Sequence, residues 1–571
     1  MTKALVPVRD GVRLETVFFT PSIAKKLLPI LLTRTPYGIP DDPHGLNEEW
    51  YRPLRADGYI FVTQSLRGRF GSEGTFVMDR PPRDARDAAS IDETTDAYDT
   101  IEWLVHHVPN NNGRVGMIGG SYAAWTATLA LLEPHPALKV VSEAASPADQ
   151  FIGDDLHHNG ALRLSYAFEY SVFLDSAKDR NTVFEFDRSD SYDFYLALGP
   201  LSNVNERYLH GRVPSWNNLV AHPNRDTFWT RKSFDSLLKR TSVPVLNIVG
   251  FWDQEDFYGP QRIYALLEPE DTAQHNHIVI GPWNHGGWSK PGHKLGPIDF
   301  GSDTSRYYRE QIQAPWLARW LHDKQGTTPE AHVFVSGRNA WESFEHWPPN
   351  EQTRATRLFL AADHRLAREA KPSATTAYDE FVSDPTDPVP YVRRPIRPMA
   401  EHDSDWPIWQ VLDQRFVEDR ADVLSWQTEV LDQDVEIVGD VAAELFASSS
   451  GTDCDWIVKL IDVYPDGYRL MIAGDIVRAR FRSSFERPEP VIPDAVTRYD
   501  IPLHAHAHAF LKGHRIAVQV QSTWFPLYDR NPQHFTPSIF DAKEADFITA
   551  TQRVYYGPEA PSAIVLPLRT L

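Results

Sequence analysis

Residues 114–125 read Arg114-Val115-Gly116-Met117-Ile118-Gly119-Gly120-Ser121-Tyr122-Ala123-Ala124-Trp125. An apolar run typical of a buried strand leads into a glycine-rich turn around Ser121, and a helix-compatible run then continues to Leu132. A strand, a tight turn and a helix in this order predict a nucleophile elbow, in which the turn exposes the serine hydroxyl above a sheet. The free N–H groups at the start of that helix would face a negative charge that develops beside the serine.

The elbow departs from the Gly-x-Ser-x-Gly pattern at its last position, where Ala123 replaces glycine. Alanine is the next smallest residue, so we expect the turn to remain sterically accessible. A Gly-Ser turn taken alone is more often an ordinary turn than a nucleophile. The hypothesis therefore depends on the acid and the histidine that should follow in the chain.

Two later strand ends supply those residues. The apolar run 243–250 leads into Phe251-Trp252-Asp253, and the run 277–281 leads into Pro282-Trp283-Asn284-His285. In an α/β-hydrolase the acid and the histidine follow the serine in that order, each just beyond a strand. We predict Ser121 as nucleophile, His285 as general base and Asp253 as the acid that orients it. The chain has 22 histidines, and position alone selects His285 among them.

Strand-like and helical patterns alternate over the first part of the chain, which predicts a parallel sheet flanked by helices. Residues 148–240 interrupt the alternation with aromatic, helical segments such as 161–174, and after the Trp347-Pro348-Pro349-Asn350 linker the chain is strand-like throughout. We predict an α/β-hydrolase fold with a helical cap and a C-terminal β jelly roll. The predicted boundaries are 1–147 and 241–345 for the hydrolase domain, 148–240 for the cap and 350–571 for the jelly roll.

Composition limits the partners that the 571-residue chain can have. A formal net charge of −21 disfavours nucleic acid as a partner. The single cysteine, Cys454, excludes an internal disulfide, and the N-terminus lacks the apolar core of a signal peptide. No apolar stretch approaches the roughly 20 residues that span a bilayer, so we expect a cytoplasmic protein without a membrane partner.

No pattern in the chain predicts a cofactor. His504, His506 and His508 alternate along a predicted strand, so their side chains share one face and could bind a metal ion. A polar outer face or a hydrogen-bonded core is the favoured interpretation for histidines in this predicted domain. We therefore expect neither a metal site nor a cofactor.

Several motifs resemble one family. Gly119-Gly120-Ser121-Tyr122, Gly250-Phe251-Trp252-Asp253 and Gly281-Pro282-Trp283-Asn284-His285 are similar to motifs of the X-prolyl dipeptidyl-peptidase and cocaine esterase family. The loop Arg67-Gly68-Arg69-Phe70-Gly71-Ser72-Glu73-Gly74 also resembles a loop of that family, with an extra residue or a shift. The resemblance extends over the whole chain, including the order of hydrolase, cap and jelly-roll domains.

Within that family the chain is most similar to the α-amino acid ester hydrolases, on the segments 96–105, 153–155 and 253–256. The resemblance implies hydrolysis of esters and amides of α-amino acids, transfer of the acyl group to amines including β-lactam nuclei, and homo-oligomers. It also implies that Asp155, Glu255 and Asp256 bind the substrate ammonium. By the same resemblance, the Tyr37 hydroxyl and the Tyr122 backbone N–H form the oxyanion hole.

Other interpretations stay open. The acids at 255–256 could begin a helix and those at 154–155 could cap another, because carboxylates suit helix N-termini. Ala123-Ala124-Trp125 replaces the Glu-Gly-Phe usual in that family, which leaves the preferred acyl side chain open. The chain could instead be an X-prolyl peptidase, an esterase for uncharged acyl groups, or a non-catalytic protein that binds a partner through its jelly roll.

Overall fold

A computed structural model describes residues 1–21, 26–84, 86–87, 89–370 and 377–570. The described residues form two large sheets, one in the N-terminal half and one in the C-terminal half, with a mainly helical segment inserted into the first half. None of the described helices has both the length and the apolar composition needed to span a membrane.

The N-terminal half is built on a ten-stranded sheet, as far as the described residues show. Across the sheet its strands are Thr2–Pro7, Arg13–Phe19, Ile60–Ser65, Leu28–Thr35, Asn111–Gly120, Leu138–Ala144, Val245–Gly250, Asn276–Gly281, Ala331–Val335 and Ala340–Phe344. The strands from Ile60–Ser65 to Ala331–Val335 run parallel, and the outer strands pair antiparallel. The buried strands predicted from apolar runs are all present, with ends displaced by a few residues.

Helices connect the parallel strands, as the α/β pattern predicts. Glu93–His107 carries Ile101 and Leu104 on its buried face and ends before Pro109. The other described α-helices of this half are Arg52–Asp57, Tyr122–Leu129, Tyr258–Leu267, Thr304–Tyr308 and Ala314–His322, with a π-helix at Arg309–Gln313. Because the strands are parallel, the loops after 120, 250 and 281 all leave the same edge of the sheet. That edge is where a ligand is expected.

The insertion between strands Leu138–Ala144 and Val245–Gly250 contains the α-helices Leu164–Asp175, Ser191–Leu198, Pro214–Ala221 and Thr227–Thr230 and a π-helix at Val204–Leu209. Sequence patterns predicted no strand here, yet three two-residue strands form a small sheet at Gly153–Asp154, His157–His158 and Ala161–Leu162. The predicted helix 161–174 therefore begins only at Leu164. Strands this short carry no period-2 pattern that could reveal them.

The C-terminal half is β-rich. Its sheet, within the described residues, has the strands Thr353–Ala361, Arg365–Ala367, Ala377–Ser383, Val423–Gln427, Val435–Ser449, Asp455–Val463, Arg469–Arg478, Thr497–Phe510, Arg515–Gln521, Ala550–Tyr556 and Ala563–Arg569. One hydrophobic cluster continues from the first half through the insertion into this half, and includes Met117, Phe168 and Trp406. The halves therefore share a core, and residues far apart in sequence can meet at one site.

Candidate active site

Ser121 occupies the predicted elbow. Its backbone has φ 57° and ψ −130°, a left-handed conformation that is strained for a residue with a side chain. The Ser121 N–H donates to the Ala144 carbonyl over 2.8 Å, which ties the turn to the neighbouring strand. The helix begins at Tyr122, so the Tyr122 N–H has no acceptor within its own helix and is free to bind an oxyanion.

His285 and Asp253 meet at the same sheet edge. His285 Nδ1 lies 2.9 Å from Asp253 Oδ1, and the Asp253 side chain is fully buried. The backbone N–H groups of Glu255 and Asp256 also donate to Asp253 Oδ1, over 3.0 and 2.9 Å. The backbone N–H of His285 donates to Gln254 Oε1 over 3.0 Å. These bonds fix the acid, and the acid in turn orients the imidazole.

The second imidazole nitrogen faces another acid. His285 Nε2 lies 3.3 Å from Glu255 Oε2. In the described part of the chain, no hydrogen bond joins Nε2 to the Ser121 hydroxyl. Burial alone would lower the pKa of His285, but the charges of Asp253, Glu255 and Asp155 outweigh it and raise that pKa to about 10. These charges therefore favour the imidazolium form of His285 near neutral pH.

Tyr37 lies beside the elbow, where its hydroxyl makes a 2.7 Å hydrogen bond with the Tyr170 hydroxyl. Burial, reinforced by the nearby Asp155 and Glu255, raises the pKa of Tyr37 above its usual range against the opposing effect of hydrogen bonds with Tyr170 and Ser121. The phenol thus stays protonated and can donate. A donor that stays protonated at this position suits an oxyanion hole.

Arg69, on the loop that resembles the family motif, holds the Tyr37 segment in place. Its Nε–H donates to the Pro36 carbonyl over 2.9 Å, and its Nη2 donates to Asn181 Oδ1 over 2.7 Å. Asn181 in turn donates from Nδ2 to the Tyr37 carbonyl over 3.1 Å. The buried guanidinium therefore joins the Tyr37 segment to the inserted segment.

The three predicted ammonium-binding carboxylates converge next to the triad. Asp155, Glu255 and Asp256 interact electrostatically, and Asp155 and Asp256 are buried. Burial and the charge of Glu255 raise the pKa of Asp155 to about 7. Burial, together with the charge of Asp155, raises the pKa of Asp256 as well. Among the described residues, both Asp256 carboxylate oxygens and Asp155 Oδ1 are buried without a hydrogen-bond partner, so the cluster has unused acceptors.

Arg163 is a second cation beside this cluster, and its hydrogen bonds do not go to the carboxylates. Its guanidinium donates to the backbone carbonyls of Asp155, Gln254 and Glu255. Arg163 thereby fixes the backbone on both sides of the cluster, and the carboxylate oxygens stay available to a ligand.

The helix-end interpretation of these acids is wrong. The helix after Asp253 begins at Tyr258, with Phe257 as its N-cap, so the acids at 255–256 precede its first turn. Asp155 lies in a turn of the small three-stranded sheet, and its neighbour Asp154 accepts hydrogen bonds from the Ala148 and Asp149 N–H groups. Neither pair of acids caps a helix, so the helix dipole does not account for them.

An aromatic wall that sequence patterns did not identify lines the site. Tyr166 stacks between Tyr170 and Trp406, with ring centroids 5.2 and 5.6 Å away. The Tyr166 hydroxyl donates to Glu255 Oε2 over 3.2 Å, and Trp406 Nε1 donates to Glu255 Oε1 over 2.9 Å. The abundance of aromatics in the insertion was the only signal for the tyrosines. Nothing in the sequence around Trp406 distinguishes it from a packing residue.

Two of the alternating histidines, His504 and His506, line a pocket together with Asp253, Gln254 and Glu255, and all three histidines form separate hydrogen bonds. His504 Nε2 is 3.1 Å from Asp475 Oδ2, His506 bonds the Leu503 carbonyl, and His508 Nδ1 lies 2.8 Å from Ser336 Oγ. Over the described ranges, no group of three or more His, Cys, Asp or Glu residues is arranged to hold a metal ion.

The sequence is similar to known protein families. The family described as "X-Pro dipeptidyl-peptidase (S15 family)" matches residues 10–287, and its "C-terminal non-catalytic domain" matches residues 322–565. Cocaine esterase from Rhodococcus sp. (strain MB1 Bresler) is 30% identical over 594 residues, covering 99% of this chain and 98% of that protein. The chain belongs to the X-Pro dipeptidyl-peptidase (S15) family. It is thus a hydrolase of the serine esterase and peptidase type.

Two solved structures resemble this S15-family chain over its whole length. An aminopeptidase from the marine sediment archaeon Thaumarchaeota archaeon has a TM-score of 0.96 and 39% identity, covering 100% of this chain and 96% of that one. An alpha-amino acid ester hydrolase has a TM-score of 0.94 and 38% identity, with coverage of 100% and 96%. The α/β-hydrolase fold with a β-rich C-terminal domain is thereby confirmed. The domain boundaries and the jelly-roll topology stay predictions.

Proposed function

We propose that this S15-family protein hydrolyses esters or amides of α-amino acids through an acyl-enzyme on Ser121. In this proposal His285 removes the Ser121 proton as the hydroxyl attacks the acyl carbon, and Asp253 stabilises the resulting imidazolium. The Tyr37 hydroxyl and the Tyr122 N–H stabilise the oxyanion. His285 then protonates the leaving group, and water or an amine resolves the acyl-enzyme, which would make the protein an acyltransferase as well.

The acidic cluster and its unpartnered oxygens support the choice of substrate. Asp155, Glu255 and Asp256 crowd one side of the site, and the oxygens of Asp256 have no partner in the described structure. Buried carboxylates without a cation are costly, so a site that keeps several of them favours a cationic ligand. An α-ammonium group is such a ligand, and it would sit beside the acyl carbon that Ser121 attacks.

Two of the three named relatives support the same substrate class. An aminopeptidase and an alpha-amino acid ester hydrolase, by their names, act on compounds with an amino group next to the acyl carbon. The aminopeptidase favours amides of amino acids as a second candidate substrate, and both substrates would use the same ammonium site. The proposed partner is therefore a small molecule with a free α-amine.

Paired substrates test the proposal. The p-nitrophenyl ester and the p-nitroanilide of one amino acid are each assayed with a free α-amine and with an N-acetyl group. We expect kcat/KM to be roughly 100-fold higher for the free amines, since hydrogen bonds to charged groups contribute about 1.5–3 kcal/mol. Asp256→Asn should raise KM for the free amines only. Equal kcat/KM within each pair would contradict ammonium recognition but would not contradict the proposed triad.

A separate experiment addresses the alternatives that do not share this chemistry. A fluorophosphonate should label Ser121, as detected by mass spectrometry of the intact protein, and Ser121→Ala should abolish labelling and turnover. A wild-type protein that resists labelling would favour a non-catalytic binding protein. A preference for N-terminal X-Pro amides over single amino acid amides would favour an X-prolyl dipeptidyl-peptidase.

A further inference from the structure

Glu255 has a position that ammonium binding alone does not require. Its Oε2 lies 3.3 Å from His285 Nε2, while His285 Nδ1 is occupied by Asp253 at 2.9 Å. The imidazole is therefore held between two carboxylates, one at each nitrogen. In triad chemistry Nε2 is the nitrogen that accepts the serine proton. The negative charge of Glu255, 3.3 Å from Nε2, favours a proton on that nitrogen and so reduces the fraction of His285 that can act as a base.

We propose that the substrate ammonium activates the general base, because it draws Glu255 away from His285 Nε2 and frees that nitrogen for Ser121. This inference rests on the proposed function, since it assigns a second role to one of the proposed ammonium ligands. Glu255 acts as a positioning residue that masks His285 in the absence of a cation. The ammonium would thus be both recognised and required for proton transfer.

The surroundings of Glu255 favour its movement from His285 Nε2 to a bound ammonium. Tyr166 from the insertion donates to Oε2, the oxygen that faces His285, and Trp406 from the C-terminal half donates to Oε1. The carboxylate is therefore held by neutral donors and no guanidinium competes for it, since Arg163 bonds backbone carbonyls. A bound ammonium would therefore compete for the charge of Glu255 with the His285 imidazolium.

The other groups that face His285 set its charge. Asp253 and Asp155 are the further acids, the hydroxyls of Ser121 and Tyr37 lie at the elbow side, and the Trp288 ring packs edge-on at 5.6 Å. Burial lowers the pKa of His285, but the negative charges of Asp253, Glu255 and Asp155 raise it to about 10. An ammonium on the cluster cancels much of the negative charge near Nε2, so this pKa must fall.

The proton balance of the step is simple. On ammonium binding, the Nε2 proton of His285 leaves to water and the imidazole becomes neutral. Ser121 Oγ then bonds to the acyl carbon, its proton moves to Nε2, and the carbonyl electron pair moves to the oxygen. When the C–O or C–N bond breaks, the leaving group takes the proton from Nε2. No oxidant or other reactant is needed.

An uncharged ester separates activation from recognition. Hydrolysis of p-nitrophenyl acetate is measured near pH 7 with methylammonium chloride, and with matched tetramethylammonium chloride, which lacks N–H donors. We expect methylammonium to raise kcat/KM about tenfold, because each unit of decrease in the pKa of His285 increases the neutral fraction about tenfold. The acid limb of the pH profile should move to lower pH. Both results come from the wild-type protein alone.

Variants locate the effect. Glu255→Gln should raise the basal rate on p-nitrophenyl acetate near pH 7 and abolish the response to methylammonium. Glu169→Gln is a matched control, because Glu169 is a buried acid of the insertion whose Oε2 accepts from the Met399 N–H, away from His285. That variant should respond as the wild type does.

The outcomes distinguish the two proposals. If free amines are preferred to N-acetyl substrates but methylammonium leaves both kcat/KM for p-nitrophenyl acetate and its pH profile unchanged, base activation is wrong and ammonium recognition stands. If free amines are not preferred to N-acetyl substrates, the proposed function is wrong, and the base activation that rests on it is wrong as well. A methylammonium effect that survives in Glu255→Gln would overturn the role of Glu255.

Discussion

Trp406 Nε1 donates a 2.9 Å hydrogen bond to Glu255 Oε1, and thereby brings a residue of the C-terminal half into the active site. The family description calls the domain that contains Trp406 non-catalytic. Here that domain touches a carboxylate that in turn touches the proposed general base. The C-terminal half therefore helps to build the site as well as to stabilise the fold.

Trp406→Phe should weaken recognition of the amine. The ring stays but the hydrogen bond to Glu255 is lost, and a hydrogen bond to a charged group contributes about 1.5–3 kcal/mol. We expect KM for amino acid esters to rise roughly tenfold to a hundredfold, measured by steady-state kinetics. Trp409→Phe is the matched control, because Trp409 is equally buried and its Nε1 has no partner. Equal effects of both substitutions would contradict this role for Trp406.

Tyr37→Phe should lower kcat with little change in KM. The variant keeps the ring but removes the hydroxyl that we place in the oxyanion hole, and loss of one such donor reduces kcat about 100-fold to 1,000-fold. Burst kinetics with a p-nitrophenyl ester would show slower acylation. Tyr195→Phe is the control. It removes the hydroxyl of a buried tyrosine in the inserted segment and should leave kcat unchanged. A kcat of Tyr37→Phe within twofold of wild type would exclude the oxyanion role.

Gly119→Ala should disrupt the elbow. A Cβ at Gly119 would lie 2.3 Å from the carbonyl carbon and oxygen of Ala123, and backbone atoms cannot easily move away. Overpacking of this kind destabilises proteins by about 1–3 kcal/mol, so we expect a lower Tm and a loss of fluorophosphonate labelling. Gly120→Ala is the control, because its Cβ would lie 3.2 Å from the Trp288 ring and no closer than 3.8 Å to a backbone atom, the Ala144 carbonyl oxygen. If Gly119→Ala has the Tm and labelling rate of wild type, the close approach at the elbow is wrong.

Lys459→Met should stabilise the protein. Lys459 is fully buried in strand Asp455–Val463, and its ammonium donates to Gln414 Oε1 over 3.1 Å. Burial lowers the pKa of Lys459 from 10.5 to about 7. Between these pH values the unfolded chain binds the proton and the folded chain does not, so the free energy of unfolding increases as pH rises.

The Met variant should therefore lose that pH dependence and gain about 1–3 kcal/mol in the lower part of this range, the typical cost of an imperfectly satisfied buried polar group. Urea titrations at pH 7, 8 and 9 would measure both effects. Lys512→Met, at an exposed position, should leave the pH dependence unchanged. A Met variant whose stability rises with pH as steeply as wild type would exclude Lys459 as the cause.

The parallel sheet and its nucleophile turn follow from local patterns. Apolar runs such as 28–33 and 277–281 predict buried strands, and the small residues beside Ser121 predict a sharp turn before a helix. Chain order then predicts Asp253 and His285 at the same sheet edge, because parallel strands end on the same side. The structure places the two side chains within hydrogen-bond distance there.

The small sheet of the inserted segment and the aromatic wall could not be predicted. Two-residue strands such as Gly153–Asp154 are too short for any periodicity. Tyr166 and Trp406 look like packing residues, and which face of such a ring meets a carboxylate depends on how distant segments pack.

The sequence by itself determined the fold class and the chain order of the proposed triad, because these depend on hydrophobic periodicity, turn chemistry and chain direction. Only the tertiary structure decided that Glu255 faces His285 Nε2, that the Asp256 oxygens lack a partner, and that Trp406 reaches the site. Those contacts join side chains from three segments of the chain. Their distances are set by packing between the segments, which no local pattern encodes.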